Sequence, residues 1–173
     1  MKRFAFSAVA AFGLLAAACT TPEPAPQPEP TPDPGPVVDT TPDPVPTGPV
    51  PGSPADFEAT AGDRVFYGFD QSTLTSEARA TLSRQAAWLS SYPSARILIA
   101  GNADERGTRE YNLALGARRA NAAREFLIAR GVDPSRISTV SYGKESPVCT
   151  SSTETCWARN RNAITIIQSG ANS

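Results

Sequence analysis

Asp104, Glu105 and Arg106 stand side by side in the stretch Gly101-Asn102-Ala103-Asp104-Glu105-Arg106-Gly107-Thr108, and the segment that follows it reaches Arg118 and Arg119 within three helical turns. Both charge signs therefore meet in a loop between a β-branched run and a helical one. Two chemistries are open to the carboxylates and their neighbour. Asp104 and Glu105 could be an acid and base pair for cleaving a glycosidic bond, or the charges could form a solvated loop whose pairs contribute about 0 to 1 kcal/mol. The hydrolase reading is awkward, because adjacent residues in a short loop would have to place carboxyls on opposite sides of one bond, about 5 to 10 Å apart. With no His in the chain, no Ser-His or Cys-His nucleophile exists either. On these residues alone the solvated loop is the default.

The elements that must position the loop follow from pattern. Val65-Phe66-Tyr67-Gly68-Phe69-Asp70 is aromatic and β-branched and reads as a strand ending at Asp70, its aromatics chiefly sheet core. Thr75 or Ser76 can cap a helix in which Leu74, Ala78, Leu82, Ala86 and Leu89 recur at helical spacing until Pro93. Arg96 to Ala100 is a second strand, and Thr108 can cap a second helix with Glu110 in its first turn and Gly131 as its stop. Asp133-Pro134-Ser135-Arg136 reads as a turn, Ile137 to Tyr142 as a third strand and Ala163 to Gln168 as the last. The order βαβαββ implies an α/β fold: a two-layer α/β sandwich with two helices on one face of a small mixed sheet.

Composition divides the chain. Of its 17 prolines, 14 fall between Pro22 and Pro54, and no Lys or Arg occurs between Arg3 and Arg64. Residues 1–18 read as an export signal, with Lys2 and Arg3 ahead of an apolar run from Phe4 to Leu15 that is too short to span a bilayer. Residues 19–56 cannot bury a core and favour polyproline II; extended, this spacer would reach on the order of 100 Å. It is read as a linker rather than as a ligand for a proline-recognising partner. Residues 57–173 are the domain, with 14 basic against 11 acidic residues, a balance too mild to imply nucleic acid.

The octet from Gly101 to Thr108 and the helix after it resemble the signature of the OmpA-like peptidoglycan-binding domain family, most closely its lipoprotein members, which Ser141-Tyr142-Gly143-Lys144-Glu145 also matches. The resemblance spans Val65 to Ile167 and implies the same two-layer sandwich, no catalysis and no cofactor. It implies that Asp104 and Arg119 clasp the free end of meso-diaminopimelate in the peptidoglycan stem peptide. That end carries an ammonium and a carboxylate on one carbon, so it needs one acceptor and one bidentate donor. Phe69 and Asp70 fall where the family's Phe-x-Phe-Asp pattern meets the ligand, with Tyr67 in place of the first Phe; Asn112 and Leu115 fall on helix positions that face the pocket in relatives. Asn160 and Arg161 match the first two residues of the family's Asn-Arg-Arg, placing Arg161 in the ligand set, while Asn162 breaks the third. Most members carry His where this chain has Asn102. Asn can replace one imidazole hydrogen bond but not its titration, so a pH-sensitive role there is excluded.

Leu14-Leu15-Ala16-Ala17-Ala18-Cys19 resembles a bacterial lipobox, with Ala16 where Leu is usual. Cys19 is then the acylated first residue of the mature chain, and Thr20 rather than Asp after it implies the outer membrane, with the domain in the periplasm. The partners implied are peptidoglycan, the outer membrane through the lipid anchor, and TolB with the Tol complex, in a tether that acts in envelope constriction at cell division. The alternatives are a periplasmic cell-wall hydrolase or another OmpA-like envelope protein. A flagellar stator component shares the domain but needs a transmembrane helix that this chain lacks.

Cys149 and Cys156 enclose residues that are small or polar except Glu154, in a loop between the last two strands. Without His or a further nearby thiol no metal site is expected, and in an exported chain a disulfide is the default. Asp104→Ala and Arg119→Lys should each remove most of the ligand binding while leaving the thermal melt nearly unchanged, with Arg118→Lys, on an exposed helix face beside Arg124 and Arg130, as the control.

Overall fold

A computed structural model describes residues 48–170, which lie within one compact unit. The export signal, Cys19 and most of the proline-rich segment fall outside the described residues. The elements are α1 (Pro54–Thr60), β1 (Arg64–Phe66), α2 (Ser76–Ser91), β2 (Arg96–Asn102), α3 (Arg109–Ala129), β3 (Ile137–Gly143), α4 (Glu154–Asn160) and β4 (Asn162–Ser169). The sheet order is β1-β4-β2-β3, with β4 antiparallel to both β1 and β2, and β3 parallel to β2. The two long helices pack on one face of this mixed sheet, as the apolar periodicity requires.

Local chemistry starts and stops each long helix. Thr75 and Thr108 accept hydrogen bonds from the backbone N–H of Ala78 and Tyr111, so both helices begin on side-chain caps. Helix α2 ends before Pro93, and its last carbonyls are met by Arg136, which donates to the carbonyls of Leu89 and Tyr92. Helix α3 ends on Gly131 at φ +92, where Val132 N–H returns to the Leu127 carbonyl and Gly131 N–H to that of Ile128. That is a Schellman closure, with the apolar pair Leu127 and Val132 both buried beside it.

Leu82, Leu89, Ile97, Ile99 and Leu127 are fully buried between the layers, each stabilising the fold by about 1.5 to 3 kcal/mol. The approach of α3 to β2 is set by two glycines. A Cβ on Gly101 would overlap the carbonyl oxygen of Gly116, and one on Gly116 would run into Ser141 Oγ. With the backbones this close, the helix turn after Gly116 carries Arg119 beneath the loop that leaves β2.

Three expectations are corrected. Strand β1 stops at Phe66: Tyr67 N–H still bonds the Arg161 carbonyl, but the chain then turns, with Gln71 N–H on the Gly68 carbonyl and Asp70 at φ +55. Helix α1 begins at Pro54, ahead of Phe57, and drives that phenylalanine into the core against Trp88, ring centroids 5.0 Å apart. The loop between the last two strands is half helix: Thr153 caps α4, and Cys156 lies inside it, bonded to Cys149 with Cα atoms 5.3 Å apart. The expected disulfide is present. No helix among the described residues is long and apolar enough to cross a membrane.

Candidate functional site

Asp104 leaves the end of β2 as a buried carboxylate, only 5% exposed. Burial pushes its pKa up, yet hydrogen bonds from Arg106 and Arg161 outweigh that and hold it below the ordinary carboxylate range. Its Oδ1 accepts from the backbone N–H and Nε of Arg106, both at 3.1 Å. Its Oδ2 accepts from Arg106 Nη2 at 2.7 Å and from Arg161 Nη1 at 3.3 Å. A carboxylate offers about four lone-pair directions, so this one is saturated.

Arg106 lies between two aromatic rings. Its guanidinium lies 4.2 Å over the Phe69 ring and 4.1 Å over the Trp157 ring, a double cation–π contact. Trp157 in turn donates from Nε1 to Glu105 Oε1 at 2.9 Å, and hydrogen bonds from Ser152 and then Trp157 hold Glu105 below its ordinary pKa range. Lys144 Nζ donates to the carbonyls of Gly107 and Glu105 at 2.7 and 3.3 Å, closing the loop from the β3 side.

Arg119 is the largest fully buried side chain, at 0% exposure. Its Nε, Nη1 and Nη2 donate to the carbonyls of Gln71 (2.8 Å), Asn102 (2.7 Å) and Gly68 (3.1 Å), tying α3 to the β1 turn and to the end of β2. Burial draws its pKa down to about 10, so it remains charged at neutral pH. Five N–H donors less three bonds leave one uncommitted N–H on each terminal nitrogen. The side chain cross-links three backbone segments, which argues against the expectation that Arg119 can be exchanged with little loss of stability. Arg118, by contrast, is exposed as expected, near the Tyr111 ring, while Arg124 is half-buried beside Glu125.

A cleft of about 200 Å³ opens above these groups, lined by Phe69, Asp70, Asp104, Arg106, Gly107, Tyr111, Asn112, Leu115 and Arg119. All but one of the sequence-derived ligand residues meet there. The exception, Arg161, lies behind Asp104, bonded to it and to the Tyr67 carbonyl. Asn112 is buried and donates to the Arg106 carbonyl at 2.8 Å, so its amide shapes the loop. Phe69 is 61% exposed and belongs to the cleft wall rather than the sheet core; Tyr67 is the core aromatic, its hydroxyl donating to the Arg119 carbonyl. A Phe at that position would lack this bond. Asp70 accepts a hydrogen bond from the Tyr111 hydroxyl across the cleft.

Sequence reasoning weighed Arg106 but left it out of the ligand set, and it passed over Tyr111, Glu154 and Trp157 as site residues. A Trp one position after a half-cystine, in an otherwise small and polar segment, was the available signal. It also missed that two of the departures from the family pattern, Asn102 and Asn162, meet: Asn102 Nδ2 donates to Asn162 Oδ1 at 2.8 Å, in a buried pair that leaves Asn102 Oδ1 without a partner. Among the described residues no group of three or more His, Cys, Asp or Glu is placed to hold a metal ion.

The chain belongs to the OmpA family, whose model matches residues 66–162. Within that family it is similar to the peptidoglycan-associated lipoprotein of Mesorhizobium japonicum, 54% identical over 123 residues that make up 71% of this chain and 73% of that protein. The same-named protein of Rhizobium meliloti is 54% identical over 117 residues, 68% of this chain and 66% of the relative. The chain thus spans about two thirds of the length of these relatives. Among solved structures, that of the peptidoglycan-associated lipoprotein from Burkholderia pseudomallei has a TM-score of 0.63 at 41% identity, covering 67% of this chain and 100% of the other. The C-terminal domain of Helicobacter pylori MotB, at 20% identity and a TM-score of 0.58 over 62% of this chain and 84% of its own, shares the fold alone.

Proposed function

We propose that this chain is a bacterial envelope lipoprotein that binds peptidoglycan without covalent chemistry and tethers the outer membrane to the cell wall. The observation that carries this reading is the cleft, in which Asp104 and Arg119 present opposite charges between Phe69, Tyr111 and Leu115. A group bearing an ammonium and a carboxylate on one carbon matches that pattern, and the diaminopimelate end of the stem peptide is such a group. Asp104 takes the ammonium, the two spare Arg119 N–H groups take the carboxylate, and the apolar walls hold the aliphatic chain.

A binding role fits the carboxylates better than a catalytic one. Asp104 and Glu105 are both held below their ordinary pKa range, the reverse of what a general acid requires. Acylation at Cys19 supplies the outer-membrane anchor, the proline-rich segment up to the Ser53 cap of α1 the spacer, and the chain from α1 onward the wall-binding domain. TolB and the Tol complex are the partners that would compete for the domain during envelope constriction.

Incubating the purified chain with sacculi tests binding and hydrolysis together. The chain should sediment with the wall and release no soluble fragments; fragment release would establish the hydrolase alternative instead. Cys19→Ser should shift the chain from the membrane to the soluble periplasmic fraction, and a variant that fractionates like the wild type would contradict the anchor.

A further inference from the structure

If Asp104 receives the ligand's ammonium, as the proposed function requires, one of its present donors must leave. All four of its acceptor directions are taken by Arg106 and Arg161. Arg161 cannot leave easily: its side chain is 7% exposed and also bonds the Tyr67 carbonyl and Glu154. Arg106 can. Its side chain is 33% exposed, and the same Nη2 that bonds Asp104 at 2.7 Å already lies 3.7 Å from Glu154 Oε2.

We propose that Glu154 is a positioning residue that receives the Arg106 guanidinium when ligand ammonium displaces it from Asp104. Glu154 opens α4, and its other oxygen bonds Arg161 Nη2 at 2.7 Å. Asp104, Arg106, Glu154 and Arg161 thus form a closed ring of alternating charge, and the handover is a short shift of one partner within it. The Trp157 ring holds Arg106 from the same helix, so the guanidinium keeps one aromatic contact as it moves. The Cys149–Cys156 bond and Asn160, which donates to the Cys149 carbonyl and accepts from the N–H groups of Val148 and Cys149, hold this helix where it can act. The segment that the sequence presents as a plain disulfide loop is then the second wall of the ammonium subsite.

A double-mutant cycle on the full chain tests this by calorimetric titration with a soluble muropeptide whose stem ends in free meso-diaminopimelate. Glu154→Gln should weaken binding about fivefold in the wild-type background and less than twofold in Arg106→Gln, because without Arg106 there is nothing to hand over. Equal weakening in both backgrounds, or none in either, overturns the handover. So does complete loss of binding in Arg106→Gln alone, which would make Arg106 a group that holds the ligand. The peptidoglycan reading fails separately, if the wild-type chain ignores this muropeptide or if Asp104→Ala leaves its Kd unchanged.

Discussion

Arg119→Lys should unfold the domain at a much lower temperature, and the size of the effect can be worked from three bonds. The guanidinium serves the carbonyls of Gly68, Gln71 and Asn102 at once, from a side chain with no exposure to water. A single ammonium can meet one of these in good geometry, which leaves two buried carbonyls unpaired at about 1 to 3 kcal/mol each. Allowing for partial relaxation, the loss is about 3 to 5 kcal/mol, or a fall in Tm of about 10 to 20 °C for a domain of this size. Circular dichroism melts of the wild type, Arg119→Lys and Arg118→Lys decide the matter. The exposed Arg118 variant should stay within about 0.5 kcal/mol of the wild type. If Arg119→Lys melts within about 3 °C of the wild type, the three-carbonyl cross-link is not what Arg119 contributes, and the reasoning fails. Any binding defect of this variant must accordingly be measured well below its own melt.

Three further outcomes follow from the geometry. Alkylation of the unreduced chain should label neither Cys149 nor Cys156 in mass spectrometry, and replacing both with Ser should reduce stability by about 2 to 3 kcal/mol in urea unfolding. Asp104 has a folded pKa below its unfolded value of about 3.9, so its stabilisation is present above that value and is lost as pH falls through the folded one; Asp104→Asn should flatten that part of the acid unfolding profile. Gly101→Ala should destabilise by about 2 to 4 kcal/mol, since its methyl meets the Gly116 backbone rather than a flexible side chain, and a melt unchanged from wild type would contradict the packing of α3 on β2.

The long elements were legible because burial leaves a period. Ile97 and Ile99 alternate in β2, Leu82 and Leu89 recur through α2, and Thr75 and Thr108 announce the helix starts. The short helices left no such trace. Pro54 sits at the first turn of α1, where its missing N–H does no harm, but in sequence it reads as one more residue of the proline-rich segment. Helix α4 spans barely two turns, too few for a face to repeat, and its cap Thr153 is lost among small polar neighbours. Within the site, Asp104, Arg119, Phe69 and Leu115 were legible through family resemblance, whereas the roles of Arg106 and Trp157 were not. Their contacts cross from the loop after β2 to α4, and only the folded chain brings those segments together. The tethering of Arg119 to three segments was equally hidden, because its partners are backbone carbonyls, which carry no residue identity.

The central claim, that a zwitterionic end of the stem peptide is what the cleft binds, is tested most directly by titrating the wild-type chain and Asp104→Ala with muropeptides that carry meso-diaminopimelate either free or with its terminal amine blocked. The account predicts measurable binding of the free form by the wild type. It predicts a loss of about 2 to 5 kcal/mol, some tens- to thousands-fold in Kd, on either blocking the amine or removing Asp104, and no further loss when both are done. Equal affinity for free and blocked muropeptides would contradict it.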